Sequence, residues 1–381
     1  MKQGWTYKKL GELGTIVTGS TPSTKIKEYY CSNDYCFIKP SDLPAEGYQI
    51  IVESENYISS KGYEVSRKLP KGSVLVSCIG IIGKTAILGM DACTNQQINA
   101  IIPNEYVNNK FLAYSILSQR YVLSSVANAP VVPLINKSDF SKVEIPLPPL
   151  SVQHSIVSEL DKINELIRLK MEQLKDYDNL AQSIFYEMFG DPVVNEKGWE
   201  VKKLGEVCTY PNKRISLSDI TSYEYVGVET LVKNKGGVIF TEELPNAKNA
   251  IEYIENDILI GNIRPYLKKI WKSDRHGGAS GDVVIIRISD SMKGLLTPVY
   301  LFKLLSTDEF FEYDNANTHG AKMPRGDRKA IGEFTIQIPP MHIQHIFAQR
   351  IELIEKQKAE VQRTISDLET LLASRMQYWF D

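Results

Sequence analysis

The segments VEIPLPPLSVQHSI (residues 143–156) and FTIQIPPMHIQHIF (334–347) are two versions of one text, 191 residues apart. Each reads as a short strand that ends on a proline pair, Pro148-Pro149 or Pro339-Pro340, with Gln153-His154 or Gln344-His345 a few residues on. A proline pair disfavours continuation of the strand ladder, and beyond it the first copy is a charged stretch with no Gly or Pro until Gly190. That stretch is a helix. Its apolar seam runs Ile156, Leu160, Ile163, Ile167, Lys170, Leu174, Tyr177, Ala181, Ile184 and Met188. The second copy gives Phe347, Ile351, Ile354, Lys358, Val361, Ile365, Leu368, Leu372, Arg375 and Trp379 at the same 4, 3, 4, 3 spacing. Sustained a/d heptads are the signature of a coiled-coil seam, and basic residues at seam positions restrict register at a cost in stability. About 36 residues at 1.5 Å each make a rod of roughly 54 Å.

Working outward, the repeat extends to the head of each copy. GWTYKKLGEL (4–13) matches GWEVKKLGEV (198–207), with Trp5 against Trp199 and Lys8 to Glu12 against Lys202 to Glu206. Between head and tail, FIKPSDL (37–43) lies against YVGVETL (225–231), GSVLVSCIGIIGK (72–84) against NDILIGNIRPYLK (256–268), and FLAYSILSQRY (111–121) against YLFKLLSTDEF (300–310). Alternating apolar positions such as Val74, Val76 and Cys78, or Ile258 and Ile260, predict short strands punctuated by turn residues. The expected architecture is α+β: two mainly-β domains, 1–150 and 191–340, each followed by a helix, 151–190 and 341–381. The helices are expected to pair within the chain as an antiparallel two-helix coiled-coil spacer, giving a dumbbell with a pseudo-twofold internal repeat.

With 381 residues, 43% hydrophobic, 24% charged and a net charge of −2, the chain is of globular composition and is not a uniformly basic DNA-coating protein. No apolar run reaches the roughly 20 residues of a bilayer span and the start lacks a signal-peptide core, so a cytoplasmic protein without membrane association is expected. Five cysteines (31, 36, 78, 93, 208) fit free thiols, and Cys31 and Cys36 lack the second ligand pair of a zinc site.

Gly83-Lys84-Thr85 resembles the end of a phosphate-binding loop. It lacks the glycine required five positions earlier, where Cys78 stands, is not succeeded by a long helix, and has no counterpart in the second copy. No G-x-S-x-G, H-E-x-x-H or dinucleotide fingerprint is present, His342 and His345 open a charged helix, and no carboxylate cluster recurs in both copies. No catalytic, cofactor or metal residue is therefore assigned.

Basic and amide side chains on strand-turn segments do recur. The second copy carries Arg264, Lys268, Lys269, Lys272, Arg275 and Arg287 between 260 and 287, interleaved with Tyr266, Trp271 and His276, and then Lys322, Arg325 and Arg328. The first offers Lys39, Ser41, Lys84 and Asn95-Gln96-Gln97. Lys and Arg suit phosphate contact, and Arg, Asn and Gln suit bidentate reading of base edges, so these are the candidate DNA-binding residues.

In this ordered duplication, together with the MFGDP joint (188–192), the chain resembles the DNA-specificity subunit of type I restriction-modification systems over essentially its whole length. The resemblance implies that each domain is a target recognition domain reading one half of a bipartite DNA site. It also implies that the helices set the gap and carry two methyltransferase subunits, to which restriction subunits are added. S-adenosylmethionine, ATP and Mg²⁺ would then belong to those partners. Two readers on one spacer would face double-stranded DNA about one helical turn, roughly 34 Å, apart, and divergent middles imply an asymmetric site. The chain departs from the family in opening its helices with Val152-Gln153-His154 and Ile343-Gln344-His345 where Glu-Gln is common. Apolar residues off the seam, Val157, Leu166, Leu169, Leu180 and Phe185, are expected to dock partner helices. The competing readings are a scaffold or decoy that keeps the architecture without binding DNA, and a fragment of a fused enzyme or a nuclease.

Overall fold

The computed structural model describes residues 4–125, 133–320 and 322–380, and the chain divides into two compact units, Met1–Met171 with Arg363–Asp381 and Glu172–Gln362. Each unit therefore contains one mainly-β domain and part of both long helices.

The first unit holds a five-stranded sheet in the order Gly14–Thr18, Ile98–Pro103, Val74–Ser77, Thr85–Leu88, Tyr48–Ile51. The second repeats four of these positions as Cys208–Thr209, Val283–Ile288, Ile258–Gly261, Ile270–Lys272. In both, a second sheet contains a short parallel pair, Phe37-Ile38 beside Cys93-Thr94 and Tyr225-Val226 beside Gly278-Ala279. An antiparallel ribbon ties head to tail, Thr6–Lys9 with Glu144–Leu147 and Glu200–Lys203 with Thr335–Ile338.

The central strands are buried on both sides rather than on one. Val74 and Val76 enter the core shared with the helix Asn109–Ser118, while Leu75 between them enters a second core with Ile38, Leu43 and Ala100. Ile258 and Ile260 likewise face one core and Leu259 another. Each central strand is thus the wall between two cores, which is why its sequence is a continuous apolar run.

The segment around Gly83-Lys84-Thr85 is a hairpin turn between Val74–Ser77 and Thr85–Leu88 and opens no helix. The cysteines form no disulfide, and burial pushes the Cys78, Cys93 and Cys208 thiols up to about 12, which makes them poor nucleophiles.

The long helices span Leu150–Phe189 and Met341–Phe380. Seam residues Ile156, Leu160, Ile163, Ile167 and Ala181, and Phe347, Ile351, Ile354, Val361 and Ile365, are buried. In the second unit Lys358 donates to Asp178 at 2.6 Å and Arg350 approaches Met188, an antiparallel register. Burial opposes the charge on Lys358, but the hydrogen bond and charge of Asp178, with Glu355, outweigh it and raise its pKa. In the first unit the Arg375 guanidinium pairs with Glu159, which also accepts from Trp379 Nε1 at 3.0 Å. Two of the three basic seam residues, Lys358 and Arg375, are thereby paired with carboxylates of the opposite helix, consistent with a register-setting role.

Each domain is seated on the helices by polar contacts as well as by its core. Asp161 accepts from Tyr48 Oη (3.0 Å), Tyr114 Oη (2.8 Å) and Lys110 Nζ (2.6 Å), and in the second unit Lys303 pairs with Glu355 at 3.3 Å. Val157 and Phe185, expected to face partners, are instead 7% and 3% exposed and belong to the two main cores. A helix that packs on a domain as well as on another helix buries more than one apolar stripe, which accounts for the excess over the seam.

Candidate nucleic-acid interface

In the first domain the candidate residues converge. Lys39 follows strand Tyr35–Ile38 and Asn95 follows strand Cys93–Thr94; because the strands are parallel, both chains leave at the same end. Cys78 N–H donates to Gln97 O at 2.8 Å, bringing the 78–84 turn to that end too. Asn95 Nδ2 donates to Gln97 Oε1 (2.9 Å), Thr21 Oγ1 donates to Gln96 Oε1 (2.7 Å), and Lys39 Nζ donates to Asn56 Oδ1 (2.7 Å). Ser41 is exposed on the turn Pro40–Asp42. Lys84 corrects an expectation: its ammonium donates to the carbonyls of Pro40 (3.1 Å) and Leu43 (3.0 Å), so it is committed to holding that turn rather than presented to a phosphate. Lys269 does the same in the second domain, donating to Val228 O at 2.5 Å, and burial lowers its pKa.

The basic stretch of the second domain does not form one surface. Strands Ile258–Gly261 and Ile270–Lys272 are antiparallel, with Lys272 opposite Ile258 and Ile270 opposite Ile260, so the stretch is divided between the two ends of the pair. At one end Lys272 donates to Asn256 Oδ1 (3.3 Å), Arg287 makes a two-pronged pair with the buried Asp257 (2.8 and 2.7 Å), and His276 meets Glu252 (3.3 Å). Near them Arg275 is gripped by Asp274 (2.5 and 3.0 Å) and lies over Tyr223 at 3.8 Å, with Phe240 at 4.9 Å and Trp271 at 5.6 Å. That is an enclosed structural arginine, which removes it from the set of available cations.

The other end is a knot of loops. Asn262 N–H donates to Asp282 O (2.9 Å), Arg264 N–H to Pro324 O (2.8 Å), and Gly326 N–H to Asn262 O (3.0 Å). Lys235, which the sequence reading missed, shares Asp308 with Lys268 at 2.7 and 2.9 Å, and those two hydrogen bonds hold the Asp308 carboxyl below its usual range. Lys235 N–H also donates to Lys268 O at 2.8 Å. The signal was the turn sequence Asn234-Lys235-Gly236-Gly237, whose residues 234, 235 and 237 take positive φ. Arg325 pairs with Asp282 at 3.2 Å and Arg328 Nη2 donates to Gly281 O at 3.1 Å. Arg264, Tyr266 and Lys322 are exposed at this end. Beneath it Asp314 is buried with neither carboxyl oxygen hydrogen-bonded, and burial pushes its pKa up to about 6.

Among the described residues no group of three or more His, Cys, Asp and Glu is placed to hold a metal, and no helix is long and apolar enough to cross a membrane. On the helices, Leu166, Leu169 and Leu180 are 47%, 45% and 46% exposed.

Two stretches, 2–176 and 196–369, match the model of the type I restriction modification DNA specificity domain. The chain is 33% identical over 222 residues to the type I restriction enzyme MjaIX specificity subunit of Methanocaldococcus jannaschii, covering 53% of this chain and 51% of that protein. It is 32% identical over 185 residues to the HindI specificity subunit of Haemophilus influenzae, covering 46% and 40%. The chain thus spans about half the length, or less, of these relatives. In fold it is similar to the S subunit of the type I restriction-modification system from M. genitalium, with a TM-score of 0.55, 15% identity and coverage of 99% and 96%. A chain from a structural study of complex assembly and conformational transition in the type I R-M system gives a TM-score of 0.59 at 18% identity, covering 99% and 97%. Matched twice by one family model, once over each copy of its internal repeat, the chain belongs to the type I restriction modification DNA specificity domain family.

Proposed function

We propose that the chain is the non-catalytic, sequence-reading subunit of a type I restriction-modification complex, each domain recognising one half of an asymmetric bipartite site in double-stranded DNA. The observation that carries this reading is the pairing of one scaffold with two different loop chemistries. The same strand order supports an amide-rich end (Gln96 and Gln97, over the buried Asn95) in the first domain and an arginine- and lysine-rich end (Arg264, Lys322, Arg325) in the second. Shared strands fix where the loops sit, and different loops read different bases. The paired helices set the gap between half-sites and, through Leu166, Leu169 and Leu180, dock two methyltransferase subunits. Restriction subunits join that core. S-adenosylmethionine, ATP and Mg²⁺ are held by the partners.

The test is base-resolution methylation of host DNA with and without the gene, in a strain with its methyltransferase. A two-part motif that appears only with the gene is expected; an unchanged pattern overturns the proposal. Co-expression and pull-down with Leu166→Glu/Leu169→Glu is expected to lose the methyltransferase while DNA-independent folding, read by melting, persists. An undiminished complex removes the docking assignment.

A further inference from the structure

Gly80 and Arg264 stand at the same place in the two copies. Both belong to the turn that follows the central strand, and three backbone hydrogen bonds define it identically. Cys78 N–H to Gln97 O (2.8 Å) corresponds to Asn262 N–H to Asp282 O (2.9 Å), and Gly80 N–H to Pro133 O (3.1 Å) to Arg264 N–H to Pro324 O (2.8 Å). Ile135 N–H to Cys78 O and Gly326 N–H to Asn262 O, both 3.0 Å, complete the set. The turn requires a left-handed residue, φ +73° at Gly80 and +54° at Arg264.

Glycine meets that requirement without strain, and the first copy uses it. A Cβ at Gly80 would meet nothing within 4 Å, so the turn has room for a side chain and only the backbone objects. An L-residue there is strained, because its Cβ crowds the following carbonyl. The second copy accepts that strain and places an arginine. Nothing inside the domain repays it, because the Arg264 side chain is exposed and has no hydrogen-bond or ion-pair partner among the described residues. Of the second domain's candidate cations, Lys268, Lys269, Lys272, Arg275, Arg325 and Arg328 are all held by partners within the domain. A rigid, strained backbone that presents an unpaired guanidinium is a pre-organised contact awaiting an external acceptor.

We propose that Arg264 is a base-reading, specificity-determining residue of the second domain, donating two hydrogen bonds to O6 and N7 of one guanine in its half-site. The proposal rests on the specificity-subunit reading. A planar fork carried on a fixed backbone turn suits two acceptors on a base edge, whereas a phosphate is served as well by a flexible lysine, such as the nearby exposed Lys322.

The experiment uses the full chain assembled with its methyltransferase subunits and selects from duplexes carrying two randomised blocks. Wild type, Arg264→Gly and Arg264→Lys are compared in selected motif, salt dependence of binding and melting temperature. Arg264→Gly is expected to keep one half-site and the gap, and to lose guanine preference at one base pair of the other half-site. Affinity for the wild-type site should fall about tenfold or more. Because glycine is the first copy's own solution to this turn, the variant should melt at the same temperature or higher, so lost discrimination is separable from lost fold. Arg264→Lys should keep most of the salt slope and lose the discrimination. An unchanged motif in Arg264→Gly overturns the proposal. So does a uniform loss over all sequences with a salt slope reduced by about one, which marks a phosphate contact. If the wild-type complex selects no motif, the underlying specificity reading fails and this one with it.

Discussion

Gln153 and Gln344 make the same three hydrogen bonds in the two halves of the chain. Gln153 Oε1 accepts from Asn108 N–H (2.8 Å) while its Nε2 donates to Tyr106 O (3.0 Å) and Pro148 O (2.9 Å). Gln344 Oε1 accepts from Thr297 N–H (2.8 Å) while its Nε2 donates to Leu295 O (2.9 Å) and Pro339 O (2.7 Å). Both are completely buried. Each amide joins three segments, the proline exit, the start of a long helix and the N-cap of the domain helix that packs on it. Replacing either by Ala strands buried backbone groups at about 1–3 kcal/mol each, so Gln153→Ala and Gln344→Ala are each expected to cost about 2–4 kcal/mol. They share no partner, so the double variant should be additive in denaturant melts. A loss under 1 kcal/mol from either would refute the role.

This contact explains why the repeat was legible where it was. Gln153 and Gln344 survive as identities because no other side chain both accepts and donates in that geometry, and Pro148-Pro149 and Pro339-Pro340 survive because they end a strand and start a helix. The heptad seam was readable for a similar reason, since helix pairing imposes a fixed period. The loop residues were not readable. Lys84 and Arg275 have the composition of DNA contacts, yet one is tied to backbone carbonyls and the other boxed by aromatic rings, and only the antiparallel register of Ile258–Gly261 with Ile270–Lys272 separates Lys268 from Lys272. Val157 and Phe185 were misassigned because a helical wheel shows that a residue is off the seam but not that a domain covers it.

Asp314 carries a pH signature. Its carboxyl, 1% exposed and unpartnered, is pushed up to about 6 by burial, above the roughly 3.9 of an unfolded aspartate. The folded chain therefore holds the proton more tightly, and the stability that proton supports is fully present below the unfolded value and lost as pH rises through about 6. The ionised group costs about 3 kcal/mol at pH 8. Asp314→Asn is expected to raise the melting temperature at pH 8, with the gain shrinking to about 1 kcal/mol at pH 4.5. A gain independent of pH would show that ionisation is not its source.

The Gly83-Lys84-Thr85 turn should be indifferent to nucleotide. Lys84→Met removes the donor to Pro40 O and Leu43 O and is expected to cost about 2 kcal/mol. Millimolar ATP with Mg²⁺ should leave the melting temperature of the isolated wild-type chain unchanged. A nucleotide-dependent shift that Lys84→Met abolishes would restore the phosphate-loop reading.

Arg275 separates a structural arginine from a DNA-contacting one. Its guanidinium lies over Tyr223, flanked by Phe240 and Trp271, with two prongs on Asp274 and its Nη1 buried without a partner. Lysine keeps the charge but supplies neither the plane that stacks on the rings nor the fork that meets the carboxylate. Arg275→Lys is therefore expected to lose about 1–2 kcal/mol of stability, and the charge-removing Arg275→Met to leave the salt dependence of DNA binding by the assembled complex unchanged. Arg264→Gly should behave in the opposite way, with discrimination lost and stability kept. If Arg275→Met lowers the salt slope by about one, the aromatic box opens on the nucleic acid, and the group at the Lys272 end of the strand pair contacts DNA as well.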